Sequence, residues 1–325
     1  MIREAALMNS DRTVYSVIVP LYNEEAVVQD SYKRIREVMD TTGESYEIIF
    51  INDGSKDSTY QKVREILKKD KNVKLISFSR NFGHQSAITA GMDYCTGQAV
   101  IVIDADLQDP PEVMLKMIEK WKEGYEVVYG KRIKRKGETL FKKATAKIFY
   151  RILSKTTDVE IPIDTGDFRL IDRKVCDALK AMPERNRYVR GLISWLGFRQ
   201  TGVEFVREKR LAGETKYSMK KMFKLAWDGI TAFSNAPLKL ATYIGVSISA
   251  VSFLYLLVVI CQKLFTDTTV QGWASLVAIS LFFNGVILIV LGIIGEYIRR
   301  IYDEAKGRPI YIISEKIGFD EGHDE

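Results

Sequence analysis

Residues 99–112 read Ala-Val-Ile-Val-Ile-Asp-Ala-Asp-Leu-Gln-Asp-Pro-Pro-Glu. Val100–Ile103 form an apolar, β-branched run that leads directly into two carboxylates, Asp104 and Asp106. A run of this kind is a strand apolar on both faces, as in a parallel sheet covered by helices. Side chains alternate along a strand, so Asp104 and Asp106 are expected on one face. In open α/β sheets, ligands bind beyond the carboxyl ends of the strands. Two carboxylates there suit a hard divalent cation, Mg2+ or Mn2+, which would most naturally hold a diphosphate. The alternative is a pair of solvated loop acids or helix-capping acids, because Pro110-Pro111-Glu112 starts a helix.

The same pattern extends to either side. Tyr15–Val19 is expected as a strand ending at Pro20, followed by a helical face of Val28, Tyr32, Ile35 and Met39. Ile48–Ile51 is a second strand, and Val63, Ile66 and Leu67 line the next helix, capped by Asp57 or Ser58. Val73–Phe78 is a third strand, and Gln85–Cys95 a helix closed by Thr96-Gly97. After the diacid, Met114, Met117, Ile118 and Trp121 mark another helix, and Val127–Tyr129 another strand. Regular β–α alternation predicts a mostly parallel sheet with helices on both faces. The apolar stripes are core positions.

The chain has 325 residues, too many for one ordinary core. Leu240–Gln262 and Trp273–Gly295 each lack any charged residue. A helix over either reaches roughly 35 Å and can span a bilayer; the alternative is a pair of buried helices in a soluble protein. Met1–Asp11 carries three charges and no long apolar core, unlike a secretory signal. Basic residues flank the two segments on the outer sides: Lys216, Lys220, Lys221, Lys224 and Lys239 before, Arg299, Arg300, Lys306 and Arg308 after. By the positive-inside rule both termini are expected in the cytoplasm, with a short external loop, in a multi-pass plasma-membrane protein.

A net charge of +6 suits an anionic leaflet. It does not point to nucleic acid, because the lysines gather beside the spans. Cys95, Cys176 and Cys261 have no metal-type spacing, and their odd number suits reduced thiols. His84 follows Arg80-Asn81-Phe82-Gly83, where a structural, ligand-edge or catalytic role is open. Lys131–Arg151 holds nine basic residues, either a solvated helical face or a surface for phosphate or anionic lipid. Ser218–Ser234 is amphipathic and is expected to lie at the membrane interface. Gly285, Gly292 and Gly295 would let two spans pack closely.

Three motifs end three strands: Ser16-Val-Ile-Val-Pro-Leu-Tyr-Asn-Glu-Glu25, Asn52-Asp-Gly-Ser55 and Asp104-Ala-Asp-Leu-Gln-Asp-Pro-Pro-Glu112. All three can line one crevice. With Asp164-Thr-Gly-Asp-Phe-Arg-Leu170, the loop Gly213-Glu-Thr-Lys-Tyr217 and the two apolar segments, this set resembles the inverting family 2 glycosyltransferases of GT-A fold. Within them it is most similar to the polyisoprenyl-phosphate glycosyltransferases, the group of dolichyl-phosphate mannose synthase and the bactoprenol glucosyltransferases. The resemblance covers about residues 14–313. It departs at Asn52, where the family often carries a second acid, leaving Asp53 as the only acid of that motif. Processive synthases carry Gln-x-x-Arg-Trp, and this chain contains no Arg-Trp pair.

The resemblance implies roles. Pro20, Tyr22, Glu24 and Asp53 match positions that hold the donor's uracil and ribose. Asp104 and Asp106 match the metal pair, with Gln108 a third ligand in some members. Arg132 matches an arginine that faces phosphate. Lys216 matches a mobile-loop residue that closes over the diphosphate, with Arg210 nearby in the nucleotide-sugar site. Asp167 falls in the motif lining the acceptor pocket, as an orienting or base-like carboxylate; the alternative is a strand-end acid bonded to Arg169.

The implied activity is inverting transfer of one sugar from a UDP-sugar, expected to be UDP-glucose, to a polyprenyl phosphate, expected to be undecaprenyl phosphate. Mg2+ or Mn2+ assists, and the enzyme is expected to be a homo-oligomer. UDP-N-acetylglucosamine is an alternative donor; a processive synthase and a non-catalytic membrane scaffold are further alternatives. The expected organisation is a GT-A domain over 1–217, an interfacial helix over 218–237, two transmembrane helices within 238–298 (240–262 and 273–295) and a cytoplasmic tail over 299–325.

Overall fold

The computed structural model describes residues 13–133, 162, 165–185, 187–208, 272–319 and parts of 238–255. In chain order the elements are β1 (Tyr15–Leu21), α1 (Val28–Asp40), β2 (Tyr46–Asn52), α2 (Thr59–Leu67), β3 (Val73–Phe78), α3 (His84–Tyr94), β4 (Ala99–Val102), α4 (Val113–Lys122), β5 (Val127–Arg132), β6 (Thr165–Asp172), α5 (Arg173–Lys180), α6 (Val189–Trp195), β7 (Gln200–Phe205), α7 (Trp273–Ala305) and β8 (Ile313–Ile317).

Eight strands form one sheet in the order β7-β5-β6-β4-β1-β2-β3-β8. The pairs β1–β2, β1–β4, β2–β3 and β5–β7 are parallel, and β3–β8, β4–β6 and β5–β6 are antiparallel. The expected parallel α/β sheet is therefore present over β1–β4, where crossover helices join the strands. Every residue of β1, β2 and β4 is buried. On one face Val17, Val19, Ile48, Phe50 and Ile101 share a core with Val28 and Ile35 of α1, Val63 of α2 and Met114 and Met117 of α4. The spacing of those helical residues explains why each helix lies down on that face.

Sheet order also locates the crevice. From β1 the chain moves one way to β2 and β3, then crosses back through α3 to β4 on the other side of β1. The strand order reverses between β1 and β4, and ligands of open α/β sheets bind at such a switch point.

Two regions differ from expectation. Residues 313–317, read from sequence as tail, form β8 on the outer edge of β3. The segment Ile-Ser-Glu-Lys-Ile is apolar only at its two ends, and as an antiparallel edge strand it satisfies the open backbone groups of β3. The helix over the second apolar segment does not stop at Gly295 but runs to Ala305. Its final turns are charged and laced by pairs such as Arg299–Glu296 (2.7 Å) and Arg299–Asp303 (2.9 Å), at helical spacing.

α7 spans 33 residues, about 50 Å. Among the described residues it is the one helix long and apolar enough to cross a membrane, over Phe282–Ala305. The first apolar segment, 240–262, lies largely outside the described residues, as do the amphipathic stretch 218–237 and residues 134–151 of the basic segment. By contacts the chain divides into two units, the sheet with residues 309–325 and a second unit over 219–308.

Candidate active site

Pro20 helps to open the crevice. Ile103 N donates to Ile18 O (3.1 Å), and Asp53 N donates to Leu21 O (2.9 Å). Even-numbered residues of β1 thus face β4, and odd-numbered ones face β2. Pro20 has no N–H to extend the ladder toward β4, so the two strands part there. β4 ends at Val102, before either acid of the diacid motif.

A turn, not the pleat, therefore sets the two carboxylates. Leu107 adopts a left-handed conformation (φ 53°), uncommon for a bulky residue. Gln108 N donates to Asp106 Oδ1 (3.1 Å). Asp106 is 7% exposed, whereas the Asp104 side chain is 32% exposed. Partial burial pushes the Asp104 carboxyl up, and the charges of Asp167, Asp106 and Asp109 add to that push against His84. Asp104 thus stands in the field of three other carboxylates, a negative charge that a divalent cation would relieve.

Asp167, near the start of β6, is bound on both sides. Its Oδ2 meets His84 Nε2 (3.2 Å) and accepts from Gln85 Nε2 (3.3 Å), while Oδ1 lies 3.1 Å from Arg190 Nε. Burial alone would raise it. The hydrogen bond from His84 and the charges of Arg190 and Arg169 instead hold it well below the usual carboxylate range. Arg169 does not bond to Asp167; it donates to Gly166 O (2.9 Å). Burial pulls the Arg169 guanidinium down to about 10, against the charge of Asp167.

His84 lies 3.6 Å from Asp104 and 3.2 Å from Asp167. Burial disfavours its charge, but these two acids outweigh it and raise the ring to about 9. The imidazole is 42% exposed against 13% for Asp167, so His84 is the more reachable of the two. With its oxygens so engaged, Asp167 is built to orient rather than to take up a proton.

Asp109, 1% exposed, anchors two arginines. Its Oδ2 lies 3.1 Å from Arg132 Nη2 and its Oδ1 3.5 Å from Arg207 Nε. Gly166 makes room for this pair, because a Cβ there would stand 2.6 Å from Arg132 Nη2. The chain after β7 is pinned to the diacid turn, since Glu208 N donates to Gln108 O (2.9 Å). Arg34 of α1 then clamps Glu112 (2.8 Å) and Glu208 (2.9 Å) together.

Across the switch point, Asp53 is 3% exposed and turned inward. Burial raises its carboxyl, against the backbone N–H groups of Phe82 (2.6 Å) and Gly83 (2.9 Å). Asn81 Nδ2 donates to it as well (2.8 Å). Gly83 has φ 102°, open to glycine, and caps α3, whose first residue is His84. Asp53 therefore fixes the turn that delivers His84 to Asp104. Beside it lies a cavity of about 900 Å3 at the ends of β1, β2 and β3, lined by Tyr22, Asn52, Gly54 and Arg80 among others. A smaller one of about 460 Å3 is lined by Asn23, Glu24 and Lys56 among others.

The fold thus gathers Asp104, Asp106, Asp167 and Arg132 around one turn, and places Tyr22 in the larger cavity and Glu24 in the smaller. Pro20 and Asp53 are internal. Gln108 is half-buried, and its backbone carries the turn. Arg210 and Lys216 lie outside the described residues. Sequence reasoning did not single out Asp109, Gln85, Arg190, Arg207 or Arg34. Asp109 stood inside the quoted motif; the arginines carry no local signal.

Two carboxylates and an amide carbonyl are a hard-oxygen set suited to Mg2+ or Mn2+. Among the described residues, no three His, Cys, Asp or Glu side chains converge as a metal cage. Such a partial set fits a cation that completes its shell with phosphate and water.

Residues 16–180 match the family model described as Glycosyl transferase family 2. The Bacillus subtilis glycosyltransferase YkcC is 63% identical over 306 residues, covering 94% of this chain and 95% of its own. The prophage bactoprenol glucosyl transferase homolog of Escherichia coli is 43% identical over 298 residues, 92% of this chain and 97% of its own. The SfII prophage-derived bactoprenol glucosyl transferase of Shigella flexneri is 44% identical, with 92% and 96% covered.

Proposed function

Because the chain belongs to glycosyl transferase family 2, we propose that it moves one sugar from a UDP-sugar, UDP-glucose, to a polyprenyl phosphate, undecaprenyl phosphate. The carrying observation is the end-to-end similarity, above 40% identity, to relatives named bactoprenol glucosyl transferases. The site chemistry supports it: a cavity at the ends of β1, β2 and β3 lies on one side of the switch point, and carboxylates suited to a cation and arginines suited to phosphate lie on the other.

Tyr22 and the cavity beside it take the nucleoside. Asp104, Asp106 and Gln108 would hold Mg2+ or Mn2+, which when bound neutralises charge on the leaving diphosphate. Arg132 and Arg207, aimed by Asp109, meet phosphate oxygens and stabilise developing negative charge. Lys216 and Arg210 belong to the same function by family likeness. Asp167 keeps His84 and Arg190 in place at the sugar end. The acceptor, a phosphate monoester with a second pKa near about 6, is largely dianionic at neutral pH and needs little base catalysis. Direct displacement by its oxygen inverts the anomeric centre. α7, with a further span over 240–262, holds the site near the lipid's phosphate in a multi-pass arrangement with cytoplasmic termini, which supplies proximity. The membrane segments are also where copies of the chain would associate.

The test is a panel of radiolabelled UDP-sugars offered to the full-length enzyme with undecaprenyl phosphate and a divalent cation, followed by extraction of the lipid. Labelled lipid with UDP-glucose alone is the expected result. Label with UDP-N-acetylglucosamine instead changes the donor, and no labelled lipid with any donor overturns the acceptor class.

A further inference from the structure

The larger cavity has a wall that the family's sequence motifs do not supply. Ser314 and Glu315 of β8 line it together with Tyr22 and the loop of Asn52 and Gly54. β8 pairs with β3 through Ser77↔Glu315 and Phe78↔Ile313, with an irregularity between them that leaves Ser314 as the extra residue. A bulge of this kind re-aims side chains beside functional sites.

Covering the edge of β3 would by itself explain a strand here. It would not require the polar contacts that turn this strand toward the cavity. Tyr60, which also lines the cavity, donates its hydroxyl to the Glu315 carboxylate. Ser314 Oγ donates to Ser77 O (3.0 Å). The segment is pinned on either side of the bulge. Tyr311 stacks on Phe78 at 5.1 Å and 11° and donates to Asp93 Oδ2 (2.7 Å), while Phe319 packs edge-on against Tyr94 at 5.9 Å. Glu315 is thus held at the cavity with an acceptor oxygen, while Arg80 and Lys56 supply cations around the same space.

Resting on the donor site proposed above, we propose that β8 is a working wall of that site: Glu315, steadied by Tyr60, accepts hydrogen bonds from the hydroxyls of a nucleoside diphosphate. A volume of about 900 Å3 is in the range of pockets that take ligands of this size. The carboxylate is an acceptor suited to ribose hydroxyls, and Arg80 and Lys56 line the same space.

The experiment measures binding of UDP, GDP and CDP to full-length protein by calorimetry, with donor and lipid-phosphate KM values in parallel. Glu315→Ala and Tyr60→Phe are expected to weaken the preferred nucleotide, about tenfold for the first and less for the second. Ser314→Trp, which fills the cavity from β8 without removing a carboxylate, is expected to raise the donor KM by a similar factor. In all three the lipid-phosphate KM stays within twofold of wild type, which mere loss of edge packing would not select for. Nucleotide affinity within twofold of wild type in all three variants overturns the role of β8 and leaves the donor-site reading intact. A wild-type protein that binds none of the nucleotides overturns the donor site and this inference with it.

Discussion

The two sides of the switch point use their carboxylates differently. On the β1–β3 side, acids are occupied by backbone and hydroxyl donors. Asp53 holds the amides of Phe82 and Gly83, Asp57 takes Glu25 N (3.2 Å) and Thr59 N (3.0 Å), and Glu25 takes Ser58 N (3.0 Å). On the β4–β6 side they face cations: Asp109 faces Arg132 and Arg207, Asp167 faces Arg190 and His84, and Asp104 faces His84. Bonds to backbone fix the shape of loops. Ion pairs among partly buried groups fix where charge sits, at a desolvation cost that suits a site meant to meet more charge. Under the proposed function, one side serves as a mould for the nucleoside and the other as a charge frame for the reaction.

The sharpest way to break that contrast is Asp106→Ala. Transfer is expected to fall on the order of 10^3-fold, the several kcal/mol a bound Lewis acid supplies, with unchanged melting temperature. Wild-type turnover with Mg2+ or Mn2+ present would remove the diacid from the charge frame.

Asp109→Asn keeps the shape and deletes the charge that aims Arg132 and Arg207. It is expected to lower kcat/KM by about 10–100-fold, the size of effect typical of groups that orient a site from behind. Steady-state kinetics with each substrate varied in turn would show the loss, and a change below threefold would mean the arginines hold themselves.

Asp53→Ala should act on the mould. It leaves buried N–H groups of Phe82 and Gly83 unmet, at a cost of about 1–3 kcal/mol. Denaturant titration should record that loss; wild-type stability would show the 80–83 turn to be independent of Asp53.

The smallest effect is a pair of opposite slopes. Asp167 has a depressed folded pKa, so its stabilisation is fully present above the unfolded value near about 3.9 and is lost as pH falls. The deficit of Asp167→Asn should therefore grow as pH rises from about 2 to 4. Asp53 has a raised folded pKa, so wild-type stability falls as pH rises from about 3.9 to that raised value, and the deficit of Asp53→Asn should shrink there. Chemical denaturation at a series of pH values separates the two, and parallel slopes would erase the distinction between the sides.

Much of the fold was legible in the chain. The apolar run before Asp104, the helical stripe Val28–Ile35–Met39 and the breaks at Pro20 and Gly54 all act through neighbours within a turn or a strand. Their reading needed only local periodicity. β8 was not legible in this way. Five residues apolar only at their two ends, after a long apolar helix, look like a tail until an edge of β3 stands beside them. Strand alternation also placed Asp104 and Asp106 on one face by the wrong route, because β4 stops early and a left-handed Leu107 takes over.

Local sequence by itself therefore determined the β–α alternation, the crevice at the strand ends and the acids that meet there, since hydrophobic period and backbone sterics are set by adjacent residues. Only the tertiary structure decided which charge faces which. Asp109 with Arg207, Asp167 with His84 and Glu315 with Tyr60 are far apart in the chain. Electrostatic pairing depends on distance through space, and no local pattern records which side chains the folded sheet will bring together.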